Sequence, residues 1–440
     1  MWDGSGAAGR SGSLEISIMR RLPLSDQLPY RFCAPNSRPF WYRATRGLRR
    51  RMLRGEHWIE AIEVDGVESL AALLERGDRV LLTPNHCDHA DGLLMLDLAD
   101  RLKRPICAMC THQIFHGNAG LRYHLLPRLG LFPVDREGAD SAPFKAGIEV
   151  LVRGEHSLLI FPEGEIYFLA DRLTALREGP ATMAVKAAGR LADSGAMLWV
   201  VPIGLKYRFV NGYDPIPAFH ERMATLESRL TWRPQTDRPL VERIYQYGGG
   251  LLSLKEMEYL GQARSGSFPQ RLAHLRDYIL ESLEDRHHGT HRAQATVPER
   301  VKELRRSIIA QLLKRTATPE QQRQLRFDLD DLFLVLQIYS YPGDYIMECP
   351  TLERVGETLM KLDEDLLGVD LARPLGPRRA LVRVGEPIEV GAFLASARRS
   401  RDAANALSNA MHAGIQATLD AMGPGRMIDE GLIREEIGST

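Results

Sequence analysis

A histidine and an aspartate lie five residues apart in segment 80–92, which reads VLLTPNHCDHADG. They follow a short run that favours a buried strand, and the leucines after Gly92 recur with helical spacing. On a single helix, His86 and Asp91 would point apart. They can meet only if His86 lies in the turn and Asp91 lies inside the helix. Pro84 ends the strand just before them, so both lie where open α/β sheets bind ligands.

This pair suits acyl transfer to a hydroxyl group. His86 would take the proton from the attacking alcohol, and Asp91 would hold the other ring nitrogen and stabilise the imidazolium. The alternative is a polar turn in which Asp91 caps the next helix. With Asp88 and His89 the segment contains metal-ligand residue types, but their order is not the His-x-His-x-Asp-His run of metallo-hydrolases. No metal is therefore expected.

Strand and helix patterns alternate around this segment. Strands are predicted at 80–83, 105–110, 130–136, 157–164 and 197–207, and helices at 68–76, 93–101, 141–153 and 179–191. This alternation predicts an α/β fold with a mostly parallel sheet flanked by helices.

The pattern changes near residue 210. We predict an irregular N-terminal tail at 1–39, a core at 40–210 that begins with a basic helix, an all-helical insertion at 211–377, and a closing strand and C-terminal helix of the core at 378–440. An insertion of this length is expected to serve as a lid or a partner surface.

The composition excludes several classes of protein. Lys+Arg and Asp+Glu both number 57, so the formal net charge of zero gives no support to nucleic-acid binding. Five cysteines form no disulfide framework and fit a reducing compartment. Cys107 and Cys110 lie in an apolar run, which favours packing over redox chemistry. No uncharged apolar run reaches about 18 residues, and no signal-peptide pattern begins the chain, so a cytoplasmic protein is expected.

Residues 40–62 show a helical pattern in which aromatic side chains accompany a cluster of arginines. Such a segment suits peripheral contact with anionic lipid at the inner face of the membrane. The alternative is an ordinary surface helix whose arginines are solvated.

Three further motifs follow the His86–Asp91 pair at predicted strand ends. They are Gly130-x5-Arg136, Phe161-Pro162-Glu163-Gly164 and Val201-Pro202-Ile203. Four blocks in this order resemble the glycerolipid acyltransferase family, the PlsC-like proteins that include the lysophosphatidate and glycerol-3-phosphate acyltransferases. Segment 379–388 is similar to the closing strand and Gly-Glu-Pro-Ile turn of that family.

The resemblance implies a role for each matching residue. His86 would be the general base and Asp91 its orienting partner, Arg136 and Glu163 would bind the acceptor, and Gly164 would let the backbone approach the substrate. The implied reaction moves a fatty acyl group from acyl-CoA or acyl-carrier protein to a lysophospholipid such as 1-acyl-glycerol-3-phosphate, with no cofactor. The alternatives are a non-phosphate lysolipid acceptor, a non-catalytic lipid-binding protein and a hydrolase, although no Gly-x-Ser-x-Gly elbow is present.

Two positions depart from the family pattern. Asp88 stands where the family often has serine, and Glu165-Ile166 replaces a Thr-Arg or similar pair. If Glu165 faces the pocket, a neutral or zwitterionic acceptor is expected, because a carboxylate repels a phosphate. If it faces away or pairs with Arg172, a lysophosphatidate-type acceptor is expected.

Overall fold

The computed structural model describes residues 30–116, 121–135, 140–287, 295–312, 318–369 and 371–432. Its central feature is one sheet of eight strands: β1 Ile59–Asp65, β2 Arg79–Pro84, β3 Ile106–Thr111, β4 Leu131–Val134, β5 Ser157–Leu159, β6 Leu198–Phe209, β7 Arg378–Val384 and β8 Ile388–Glu389. The strand order is β1-β7-β6-β2-β5-β3-β4, and β8 pairs with β6. Among the described strands, the antiparallel pairings are those of β7 and β8 with β6, and all others are parallel. The predicted α/β fold with a mostly parallel sheet is confirmed.

Helices cover both faces of this sheet. They are α1 Pro39–Gly55, α2 Val67–Arg76, α3 Asp91–Leu102, α4 Leu121–Leu125, α5 Ala142–Arg153, α6 Glu178–Leu191, α14 Val390–Ser396 and α15 Ser400–Ala421. Alternate residues of β2 face the two cores: Val80 and Leu82 pack with α1–α3, whereas Leu81 packs with α5, α6 and α15. A strand buried on both faces reads as a continuous apolar run, as β2 does in the sequence.

The N-terminal helix is shorter than predicted. The sequence pattern suggested a helix across 40–62, but α1 ends at Gly55 and β1 begins at Ile59. Trp58 adopts a left-handed φ of 50°, which cannot continue a right-handed helix. The sequence IEAIEVD alternates apolar and polar residues, as expected for an edge strand, and β1 pairs in parallel with β7.

The chain between β6 and β7 is helical, as predicted. Its helices are α7 Ile216–Arg229, α8 Leu240–Leu260, α9 Phe268–Arg286, α10 Val297–Leu312, α11 Pro319–Tyr339, α12 Tyr345–Glu348 and α13 Leu352–Leu367. One apolar cluster of this segment includes Phe168 and Phe209 of the core, so the helical segment packs directly on the sheet domain. A second cluster joins α9, α10 and α11.

The described residues include no helix long and apolar enough to cross a membrane. Residues 1–29 of the predicted tail lie outside the described residues.

Candidate active site

Sheet register brings two of the predicted motifs together. Leu81 and Leu82 of β2 pair in parallel with Leu158 and Leu159 of β5. The turns that follow the two strands therefore leave the same edge of the sheet. The first turn carries His86, and the second carries residues 161–164.

His86 and Asp91 are in contact at this edge. Asp91 is the first residue of α3, and its Oδ2 lies 2.9 Å from Nδ1 of His86. The Asp91 side chain is fully buried, whereas 19% of the His86 side chain is exposed. A carboxylate at Nδ1 favours the tautomer that carries its proton there. This tautomer leaves Nε2 as the basic nitrogen.

Three further donors hold the Asp91 carboxylate. The backbone N–H groups of Cys87 and Asp88 donate to Oδ2 at 2.8 and 2.9 Å. The hydroxyl of Tyr207, on β6, donates to Oδ1. Asp91 is thus fixed by its own turn and by a neighbouring strand, and it can hold the imidazole in one orientation. The role of Tyr207 could not be predicted from the sequence, because only the folded sheet brings this residue to Asp91.

The second turn supports His86 from the other side. The Phe161 ring stacks on the imidazole with ring centroids 4.1 Å apart. Oε1 of Glu163 accepts a hydrogen bond from the backbone N–H of His86 at 2.8 Å. Oε2 accepts from the backbone and the hydroxyl of Thr174. Both oxygens of Glu163, which is predicted to bind the acceptor, thus contact protein groups, and one of them holds the backbone of the turn that carries His86.

Burial raises the pKa of Glu163, while the hydrogen bonds from Thr174 and His86 lower it. We expect Glu163→Gln to lower kcat about tenfold or more and to leave the KM for both substrates nearly unchanged. The amide presents one donor group where the carboxylate accepts, so a hydrogen bond to His86 or Thr174 is lost. Steady-state kinetics test this, with Glu60→Gln on the exposed edge of β1 as control. An increase confined to the acceptor KM would instead assign Glu163 to acceptor binding.

Arg136, the other predicted acceptor ligand, lies outside the described residues. Arg172, considered as a partner of Glu165, forms ion pairs with Asp344 and Glu348 of the helical segment. Gly164 has a left-handed φ of 80°, a conformation that favours glycine.

A buried ion pair braces the turn between His86 and Asp91. Asp88, which stands at the position where the family often has serine, accepts from Nη1 of Arg378 at 2.7 Å. Arg378 also donates to the carbonyl of His57, and its guanidinium lies over the Tyr207 ring, 4.7 Å from the centroid. The Arg378 and Ala90 contacts hold the pKa of Asp88 low despite its burial. Arg378, the first residue of β7, therefore connects this strand to the turn that carries His86.

The helical segment also contacts this turn. Nε2 of His89 lies 2.8 Å from Oε1 of Glu364 on α13. Two turns earlier on α13, Glu357 accepts hydrogen bonds from the Tyr345 hydroxyl and the Ala170 N–H. Burial and the charge of Asp171 raise the pKa of Glu357 to about 8. Glu357 is thus a carboxyl group that the folded protein keeps protonated at neutral pH.

The Glu357 pKa implies a pH-dependent stability. Between pH 4.5 and about 8, the unfolded chain loses this proton while the folded chain keeps it. Its contribution to stability is therefore complete below pH 4.5 and declines as the pH rises through this window, by a few kcal/mol at about 1.4 kcal/mol per pKa unit. We expect Glu357→Gln to raise Tm at pH 8 and to change it little at pH 5, as measured by thermal unfolding. An equal change at both pH values would contradict this assignment.

Within the described ranges, no cluster of three or more histidine, cysteine or acidic side chains is placed to hold a metal ion.

Comparison with known proteins agrees with this geometry. Residues 61–206 match the model of the family described as Acyltransferase, and this range contains His86, Asp91 and the turn at 161–164. A search of curated proteins finds no match. The matched range ends at Lys206, before the helical segment begins, and so includes the turns described above but not α7–α13. Residues 61–206 of the chain therefore form an acyltransferase domain, and the resemblance to the PlsC-like glycerolipid acyltransferases is confirmed over this range.

Proposed function

We propose that this acyltransferase moves a fatty acyl group from acyl-CoA or acyl-carrier protein to the hydroxyl of a lysophospholipid such as 1-acyl-glycerol-3-phosphate. The observation that carries the proposal is the contact of 2.9 Å between a partly exposed His86 and a fully buried Asp91. A histidine whose Nδ1 is held in this way can act as a base through Nε2.

The proposed reaction needs one base and no covalent enzyme intermediate. Nε2 of His86 takes the proton from the acceptor hydroxyl while the oxygen attacks the thioester carbonyl carbon. Asp91 stabilises the imidazolium that forms. The tetrahedral intermediate then expels the thiolate, which takes the proton from His86 and leaves as free CoA or carrier-protein thiol. The products are the acylated lipid and the thiol, and His86 returns to its starting state.

The experiment that tests this function is incubation with labelled acyl-CoA or acyl-carrier protein and a panel of lysolipids. The panel should contain lysophosphatidate, glycerol 3-phosphate, zwitterionic lysophospholipids and monoacylglycerol, with products identified by mass spectrometry. Transfer to a phosphate acceptor supports the proposal. Transfer only to neutral or zwitterionic acceptors would favour the alternative suggested by Glu165, and release of free fatty acid alone would indicate a hydrolase.

For the membrane, we propose peripheral contact through the exposed face of α1. Phe40 and Leu48 are 68% and 61% exposed there. They are accompanied by the exposed arginines Arg43 and Arg51. Apolar side chains beside arginines suit the boundary between lipid headgroups and acyl chains. Arg49 takes no part in this surface, because it is buried and paired with Asp100.

We expect the double variant Arg43→Glu, Arg51→Glu to reduce binding to vesicles containing anionic lipid by about tenfold or more. Each arginine near such a surface contributes about 1 kcal/mol, and salt should weaken the wild-type binding. Vesicle co-sedimentation measures the effect. The double variant Arg398→Glu, Arg401→Glu carries the same charge change on two exposed residues, one just before α15 and one in its first turn, across the sheet from α1. Equal losses in both double variants would show that net charge, and not α1, governs binding.

A further inference from the structure

An arginine lies against the turn that carries Glu163 and Gly164. A β-carbon added at Gly164 would come within 3.1 Å of Nε and 3.3 Å of Cγ of Arg177. The missing side chain at Gly164 thus lets Arg177 rest on the turn. The backbone N–H of Arg177 also donates to the Pro162 carbonyl at 2.8 Å. Arg177 is therefore adjacent to the residue that holds the backbone of His86.

The charge of Arg177 is not neutralised by a carboxylate in the part of the chain that the structure describes. Its side chain makes one hydrogen bond there, from Nη1 to the carbonyl of Pro298 at 2.9 Å. Its neighbour Arg172, by contrast, is paired with two carboxylates. A half-buried guanidinium with one neutral partner has N–H donors left for an anion.

A second donor lies near the same turn. The hydroxyl of Tyr167 is buried and has no hydrogen-bond partner within the described residues, and the side chain is only 4% exposed. The backbone N–H of Tyr167 donates to the carbonyl of His86 at 3.4 Å. Burial raises the pKa of the Tyr167 hydroxyl most, the charges of Glu165 and Glu163 raise it further, and the charge of Arg177 lowers it, so the guanidinium acts directly on this hydroxyl. A buried hydroxyl without a partner is unfavourable, and a ligand oxygen would satisfy it.

We propose that Arg177 and the Tyr167 hydroxyl bind the phosphate group of the acceptor. The proposal rests on acyl transfer at this site and names its acceptor class, a phosphomonoester of a glycerolipid. Arg177 would also supply a cation to a site in which Glu165-Ile166 replaces the Thr-Arg or similar pair of the family. Since Pro298 belongs to α10, the helical segment holds Arg177 in place and thereby forms part of the acceptor site.

The test compares wild type with Arg177→Met and with Arg190→Met, an exposed arginine near the other end of α6. Two quantities are measured: KM for lysophosphatidate and for acyl-CoA, and equilibrium binding of a short-chain lysophosphatidate without donor. Arg177→Met is expected to raise the acceptor KM and Kd at least tenfold and to change the acyl-CoA KM less than twofold. Arg190→Met is expected to change neither. Glycerol 3-phosphate binding, measured in parallel, should also fall in Arg177→Met if the phosphate is bound without the acyl chain.

Tyr167→Phe separates binding from folding. Because the hydroxyl has no partner among the described residues, its removal should leave Tm unchanged or slightly higher while the acceptor Kd rises severalfold. A lower Tm with an unchanged Kd would overturn the role of Tyr167.

The outcomes distinguish this inference from the proposed function. If wild type binds lysophosphatidate through Arg177 but transfers no acyl group, the proposed function fails and the phosphate site stands. If wild type acylates lysophosphatidate and Arg177→Met does so with an unchanged KM, the phosphate site is wrong and the function stands. Wild type that neither binds nor acylates a phosphate acceptor overturns this inference.

Discussion

Replacing His86 with alanine is expected to lower kcat for acyl transfer by roughly 10²–10⁴-fold, the usual range for loss of a general base. The variant should fold, because the His86 side chain is partly exposed and the contacts of its turn to Asp91 and Glu163 are made by backbone N–H groups. The measurement is the rate of labelled acyl transfer to the best acceptor of the panel, with unfolding temperature recorded for the same preparation.

His124→Ala is the matched control for His86→Ala, because His124 is an exposed histidine on α4. It should retain wild-type turnover. If His86→Ala also retained wild-type turnover, the proposed base would be wrong. The non-catalytic alternative would gain support if wild type itself bound lysolipid but showed no transfer.

Asp91→Asn is expected to have the second-largest effect, a loss in kcat on the order of 10³–10⁴-fold with little change in either KM. The Asp91 carboxylate accepts from His86, two backbone N–H groups and Tyr207. An amide cannot accept at both ends, so it must face at least one of these donors with its own N–H₂ group. The imidazole then loses its orientation or its tautomer, whereas substrate binding depends on other groups.

Tyr207→Phe tests the same carboxylate contacts with a smaller change. It removes one of the four N–H and O–H donors to Asp91 and leaves the other three, so kcat should fall less than in Asp91→Asn. Asp193→Asn, on an exposed loop before β6, controls for the change in charge. A rise in acceptor KM with normal kcat in Asp91→Asn would show that this residue binds substrate and does not orient His86.

The His86–Asp91 contact was predictable because it is local. A strand that ends at Pro84 and a helix that begins at Asp91 leave His86 only a short turn, and the turn sets the distance. The sheet was predictable for a similar reason, since strand and helix periods alternate clearly from 68 to 210. The strand β1 was missed because its first residues continue an aromatic and apolar spacing that also fits a helix.

Contacts between distant residues could not be predicted from one sequence. Arg378 lies 290 residues from Asp88, and Tyr207 lies 116 residues from Asp91. For Glu163, the family resemblance implied a substrate ligand, whereas the folded protein surrounds its carboxylate with Thr174 and the His86 backbone. The sequence indicated that Glu163 belongs to the site. Its partner Thr174 could not be predicted, because that contact depends on how segment 165–177 folds back onto the turn.

The place of β7 in the sheet has a consequence for synthesis of the chain. β7 lies between β1 and β6, although it follows both in sequence and comes after the whole helical segment. A nascent chain that stops before Arg378 therefore has no partner for β1, and most of one edge of β6 is open. Open edges pair with other chains, so a growing polypeptide of this length is exposed to aggregation.

Because β7 is synthesised late, the turn that carries His86 also forms late. Arg378, the first residue of β7, supplies the counter-charge for buried Asp88, and an unpaired buried carboxylate is costly. The turn that carries His86 thus cannot reach its final form until Arg378 has been synthesised. A chain made only to residue 377 carries the four motif blocks that end at Ile203, but it lacks the ion pair that holds the first of them in place.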